Sequence, residues 1–114
     1  MPYFNIDTNQ ELDEAFTQAV IKKASSFIAG LLDKPESYVM ISIKPGTPLN
    51  FAGTNDPAAF VRLKSIDLPK DRCAKFSEKI CDFIDQELGV PKARIFIDFE
   101  DLARSLFGWN GKTF

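Results

Sequence analysis

The chain has 114 residues, 45% of them hydrophobic and 26% charged, a size and composition that allow one modest core and exclude a disordered chain. Its net charge of −2, with no basic cluster, leaves no electrostatic footprint for nucleic acid or an anionic membrane, so neither is expected as a partner. With no histidine and two cysteines, a zinc or iron–sulfur site would need unusual ligands; no metal or other cofactor is expected, and any catalysis must do without imidazole.

Eleven phenylalanines either fill the core or supply an apolar surface that a partner subunit covers. Apolar stretches are broken by Lys, Asp or Glu well short of membrane-spanning length, and Met1 to Asn9 hold neither a basic start nor a cleavable apolar run. The expected location is the cytoplasm, with release by a route that needs no signal peptide left open.

Tyr3 to Thr8 alternate as a short strand does, and Thr8 followed by Glu11 has the spacing of a capping box, which predicts a helix starting there. Leu12, Ala15, Phe16, Ala19, Val20, Phe27, Ile28, Leu31 and Leu32 return to one face of that helix, and Pro35 marks its end. Tyr38 to Lys44 is rich in β-branched and aromatic residues and reads as a strand closed by Pro45 and Gly46. The same order recurs further on. Phe60 to Ile66 reads as a strand, a helix opens near Pro69, and its buried face is Cys73, Phe76, Ile80, Phe83, Ile84 and Leu88, with Gly89 at the position after the last turn. Arg94 to Glu100 follows as a strand in which Ile95, Ile97 and Phe99 alternate with Phe96, Asp98 and Glu100.

Placing Pro35 on Pro91 also places Val39 on Ile95, Ile41 on Ile97 and Ile43 on Phe99, the signature of a duplicated βαβ unit. The fold class is therefore α/β, of the α+β kind: one domain over residues 1–114, with a four-stranded sheet carrying two helices on one face. Strands such as Val39 to Ile43 and Ile95 to Phe99 are expected to leave apolar side chains on the other face, which self-association would cover, although a ferredoxin-like monomer satisfies the same pattern. Cys73 and Cys81 are eight residues apart on one helix, about 12 Å, which is beyond disulfide reach; they read as reduced core thiols.

Pro2 directly follows Met1, and removal of Met1 would expose a secondary amine. An α-amino group ordinarily titrates near 7.7–8.0, and apolar surroundings or a nearby cation lower that value; a neutral amine can take a proton from carbon beside a carbonyl. Proline at the second position is, on its own, most often just a permissive start.

Five ordered segments, MPYFNIDTN, KPESYVMI, FAGTNDPAAFVRLKSI, GVPKARIFIDF and the ending GWNGKTF, together resemble the macrophage migration inhibitory factor family, with its D-dopachrome tautomerase relatives, almost end to end. The resemblance implies a homotrimer with active sites between subunits, a short C-terminal strand, and Pro2 as the catalytic base of a cofactor-independent keto–enol tautomerase acting on small phenylpyruvate-like or dopachrome-like substrates. It implies that Lys34 holds the substrate carboxylate, that Ile66 offers its backbone amide, and that Phe107, Trp109 and Phe114 wall a hydrophobic pocket. Read without it, Lys34 is a helix-end cation, Ile66 is core, and the three aromatics are packing or subunit contacts. A cytokine-like protein that engages a receptor or host protein, with a vestigial pocket, is the alternative the same resemblance allows.

The chain departs from the family pattern in three ways. Phe96 stands where the mammalian branch has a tyrosine and lacks its hydroxyl. Asp98 occupies an asparagine position supplied by the neighbouring subunit; its charge would repel an anionic substrate and raise the Pro2 pKa, or it is a solvated strand carboxylate. Ala58 and Val61 replace the cysteines of the mammalian CxxC, so thiol redox chemistry is not expected.

Overall fold

A computed structural model describes residues 1–114. The first strand, β1 (Tyr3–Thr8), leads to helix α1 (Glu14–Leu32), and a single 3₁₀ turn (Glu36–Tyr38) delivers the chain to β2 (Met40–Lys44). After a long loop come β3 (Ala59–Ile66), a second 3₁₀ turn (Lys70–Arg72), helix α2 (Cys73–Leu88), a third 3₁₀ turn (Lys92–Arg94) and β4 (Ile95–Leu102). The chain ends in a small hairpin of β5 (Gly108–Trp109) and β6 (Lys112–Thr113), where one short strand is expected from the sequence.

The sheet order is β2-β1-β3-β4; β1 and β2 are parallel, β3 and β4 are parallel, and β1 and β3 meet antiparallel at the centre. The duplication is visible in the helix exits. Asp33 and Gly89 both take left-handed backbone after the last turn, with φ of 53° and 70°. Pro35 and Pro91 share φ of −62°, and the carbonyl of each accepts a hydrogen bond three residues on, from Tyr38 N at 3.0 Å and Arg94 N at 2.9 Å. Proline suits this position because its fixed φ stops the helix and its missing N–H leaves no donor unsatisfied.

Helix α1 begins later than the Thr8–Glu11 spacing predicts. Asp13 is the cap: its carboxylate accepts from Phe16 N at 2.7 Å, while Thr8 is fully buried and donates its hydroxyl to the Ala58 carbonyl at 2.8 Å. Thr8 Oγ1 also accepts from Gln10 N at 3.3 Å, a local turn that does not continue as helix, since α1 starts only after the Asp13 cap. The buried stripe of α1 is Thr17, Val20, Ala24, Ile28 and Leu32, so Ala15, Phe16 and Ala19 face solvent instead of the core. In α2 the buried residues are Phe76, Ile80, Cys81, Ile84 and Leu88, with Cys73 and Phe83 half-buried. Both thiols are free, and burial pushes both above the ordinary thiol value.

One core cluster holds side chains of both helices and all four sheet strands, so the two helices lie on one face. Phe4, Ile6, Val61 and Leu63 sit at its centre, wholly buried; each large side chain there contributes about 1.5–3 kcal/mol. The helices also meet directly, through stacked Phe27 and Phe83 with centroids 4.6 Å apart and a Lys23–Glu87 ion pair at 2.9 Å.

The opposite face of the sheet differs from expectation. Val39, Ile41, Ile43, Ile97 and Phe99 pack toward the helices with Ile95, so the alternation hands the open face to polar residues. Tyr3 and Asn5 both hydrogen-bond Ser42 Oγ there, at 2.7 and 2.8 Å, and Arg62 reaches Asn5 at 2.9 Å and Asp7 at 3.3 Å. Met40 and Phe96 are its exposed apolar residues, and Phe96 leans edge-on against Phe51 at 4.8 Å.

Candidate active site

The chain start lies where β1 enters the sheet. Pro2 is buried, and its carbonyl accepts from Met40 N at 3.0 Å, which ties it to the beginning of β2. Around it is a cleft of about 610 Å³ lined by Met1, Pro2 and Tyr3, by Ser37, Tyr38, Val39 and Met40, by Lys64, and by Phe107, Gly108, Trp109 and Phe114. Eight of these twelve residues are hydrophobic, the lining expected of a small-molecule site with few polar groups.

The C-terminal hairpin builds the aromatic wall. Phe114 stacks on Trp109 with centroids 5.7 Å apart and lies tilted against Phe107 at 5.8 Å, while Tyr38 meets Trp109 and Phe114 edge-on at 5.4 and 6.2 Å. Phe114 N also donates to the Phe107 carbonyl at 3.2 Å, so the last residue is folded back onto the cleft. Such pairs each add about 0.5–1.5 kcal/mol beyond the area they bury.

Electrostatics favour a neutral amine here. Met1 carries the terminal amino group, and burial in the cleft, followed by the Lys34 charge, pushes its pKa below the usual 8.0. Lys34 leaves α1 just beyond the Asp33 cap and points its Nζ at the Ile66 carbonyl, 3.4 Å away at the end of β3. Ser65 Oγ donates to the same oxygen at 3.2 Å.

The residues expected from the sequence divide into three groups. Pro2, Phe107, Trp109 and Phe114 share the cleft. Lys34 and Ile66 stand beside it in contact with each other, with the Ile66 side chain buried in the protein. Phe96 and Asp98 are elsewhere in the subunit: they lie on edge strand β4, exposed, with β3 between them and β1, in register with Phe60 and Arg62. Reading the sequence missed Tyr38 and Lys64, although both lie within the segments KPESYVMI and FAGTNDPAAFVRLKSI that carry the resemblance. Only the alternation along β3, which turns Lys64 to the side of Tyr3, its register partner, signals its place.

A duplicated βαβ subunit with a greasy cleft around its first residues is the class of protein that fold and site define. The family model described as macrophage migration inhibitory factor matches residues 1–114. A macrophage migration inhibitory factor homologue of Brugia malayi is 42% identical over 116 residues, covering 100% of this chain and 99% of the relative. Among solved structures, the homologue from Prochlorococcus marinus superposes with a TM-score of 0.92 at 41% identity over 98% of each chain, and the Trichinella spiralis protein with 0.90 at 34% identity over 98% of this chain and 99% of that one. The chain belongs to the macrophage migration inhibitory factor family, within the tautomerase superfamily.

Proposed function

We propose that the protein is a cofactor-independent keto–enol tautomerase of phenylpyruvate-like or dopachrome-like substrates, with Pro2 as its base once Met1 is removed. The observation that carries this reading is the burial of Pro2 in an aromatic-walled cleft, one residue from the Met1 amino group whose pKa burial and then the Lys34 charge lower. The neutral Pro2 nitrogen takes a proton from the carbon beside the keto group. The C–H electron pair becomes the enol double bond, the carbonyl π pair moves to oxygen, and that oxygen receives the proton back from the Pro2 ammonium, directly or through water. Lys34 balances the substrate carboxylate, and the stack of Phe107, Trp109 and Phe114 covers its ring.

The working unit in this reading is a homotrimer. Sheet order leaves β2 and β4 as unpaired edges, and in this reading Phe96 and Asp98 on β4 serve the Pro2 cleft of a neighbouring copy. Intact mass decides first: loss of one Met exposes the amine. Phenylpyruvate ketonisation by wild type and Pro2→Ala then tests the base, with trimer formation followed by light scattering. Undiminished turnover in Pro2→Ala, or a permanently retained Met1 in active enzyme, refutes the mechanism.

A further inference from the structure

Lys64 is the one Lys, Arg, Asp or Glu side chain lining the cleft, and nothing in the tautomerase reading uses it. It stands two residues, about 7 Å, before Ile66, whose carbonyl holds Lys34 Nζ at 3.4 Å. Two cations of different origin, one from the end of α1 and one from β3, therefore approach the same end of the sheet. Their neutralisation differs. Lys34 has no carboxylate within ion-pair distance, whereas Lys64 Nζ pairs with Glu100 Oε2 at 3.3 Å across the β3–β4 ladder. That pair is exposed, 39% for Lys64 and 51% for Glu100, and exposed pairs are worth at most about 1 kcal/mol, so an incoming acid group displaces Glu100 at small cost.

We propose that Lys64 is a specificity-determining residue of the Pro2 cleft, which contacts a second acidic group and selects aryl 2-oxo acids carrying two negative charges over those carrying one. The proposal rests on the tautomerase reading for the identity of the keto acid, but its binding claim is separable. Lys34 takes the carboxylate beside the keto group, the aromatic wall takes the ring, and Lys64 takes an acid group on the substrate's far side. Flexibility suits lysine to this: a point charge on a four-carbon stem swings from Glu100 to a ligand without a change in backbone. Glu100 then serves as the placeholder that keeps Lys64 from repelling the other cation in the empty site.

The test uses wild type, Lys64→Gln, Lys64→Arg and Glu100→Gln with phenylpyruvate and its para-carboxylated analogue. Lys64→Gln should raise KM for the dicarboxylate about tenfold and for phenylpyruvate about twofold or less, with kcat unchanged, and Lys64→Arg should restore much of the difference. Glu100→Gln should tighten the dicarboxylate. The fluorescence of Trp109, the single tryptophan, reports occupancy of the cleft without turnover, so terephthalate and benzoate titrations read the same preference in a protein that proves inactive. Equal loss of both ligands in Lys64→Gln, or no loss of either, overturns the proposal. Absent turnover with the charge preference intact overturns the tautomerase reading alone.

Discussion

Lys34 Nζ donates to the Ile66 carbonyl at 3.4 Å, and this contact joins the exit of the first helix to the end of the third strand beside the chain start. A helix cap, a strand end and a terminal amine thus share one electrostatic environment. Lys34 is one of the two causes that lower the pKa of the terminal amine, the first being burial.

The pH dependence of catalysis follows from that sign. In the proposed mechanism the active base is the neutral Pro2 amine, exposed to the same Lys34 charge once Met1 is gone, so activity should rise with pH through its pKa. Removing the Lys34 cation takes away a contribution that lowers the pKa, and the acid limb of the kcat/KM profile of Lys34→Ala should move to higher pH while KM rises for carboxylate substrates. A limb that stays in place, with a dopachrome ester as the uncharged-end substrate, would show that Lys34 does not act on the base.

Pro2→Ala keeps a terminal amine but exchanges a ring-constrained secondary amine for a primary one. A loss of about 10²–10⁴ in kcat/KM is expected, with little change in thermal midpoint if measured on the same oligomer. Receptor binding that survives the substitution would mark a signalling function independent of the cleft.

Asp98 is exposed on β4, with β3 between it and the β1 strand that begins at its own Pro2 cleft. In a trimer its charge would sit at a neighbour's amine, where it opposes Lys34. Asp98→Asn should then shift the acid limb to lower pH and improve binding of anionic substrates, both by factors of a few. Unchanged substrate range and unchanged pH profile would leave Asp98 a solvated carboxylate.

Stability should discriminate the true helix cap from the one suggested by residue spacing. Asp13→Ala removes the acceptor held 2.7 Å from Phe16 N and should cost about 1 kcal/mol, or about 4 °C in Tm. Glu11→Ala should stay within about 0.5 kcal/mol, because Glu11 is exposed and makes no capping bond. Thermal unfolding of the two variants at equal concentration measures both.

Local chemistry is legible in the chain itself. Prolines at 35 and 91, the glycine at 89 and the apolar alternations fix where helices stop and strands run, because each acts through its own backbone or its nearest turn. The duplication, and with it the pairing of parallel strands, follows from those marks. Pro2 and the C-terminal aromatics are legible as well, through the order of motifs that ties this chain to its family.

Other features depend on which side chains meet across the sheet. Whether Thr8 caps a helix or bonds Ala58 depends on a partner fifty residues away. Whether Ile41 and Ile97 cover the helices or the open face depends on the phase of strands whose apolar and polar residues alternate, and a shift of one residue reverses every one of them. Lys64 enters the cleft by the same phase, set by its register with Tyr3. The amino-acid order determined where helices stop and strands run and placed a proline second in the chain; the packed sheet alone decided which cations stand near it, since long-range register is a property of strands brought together and of none of them separately.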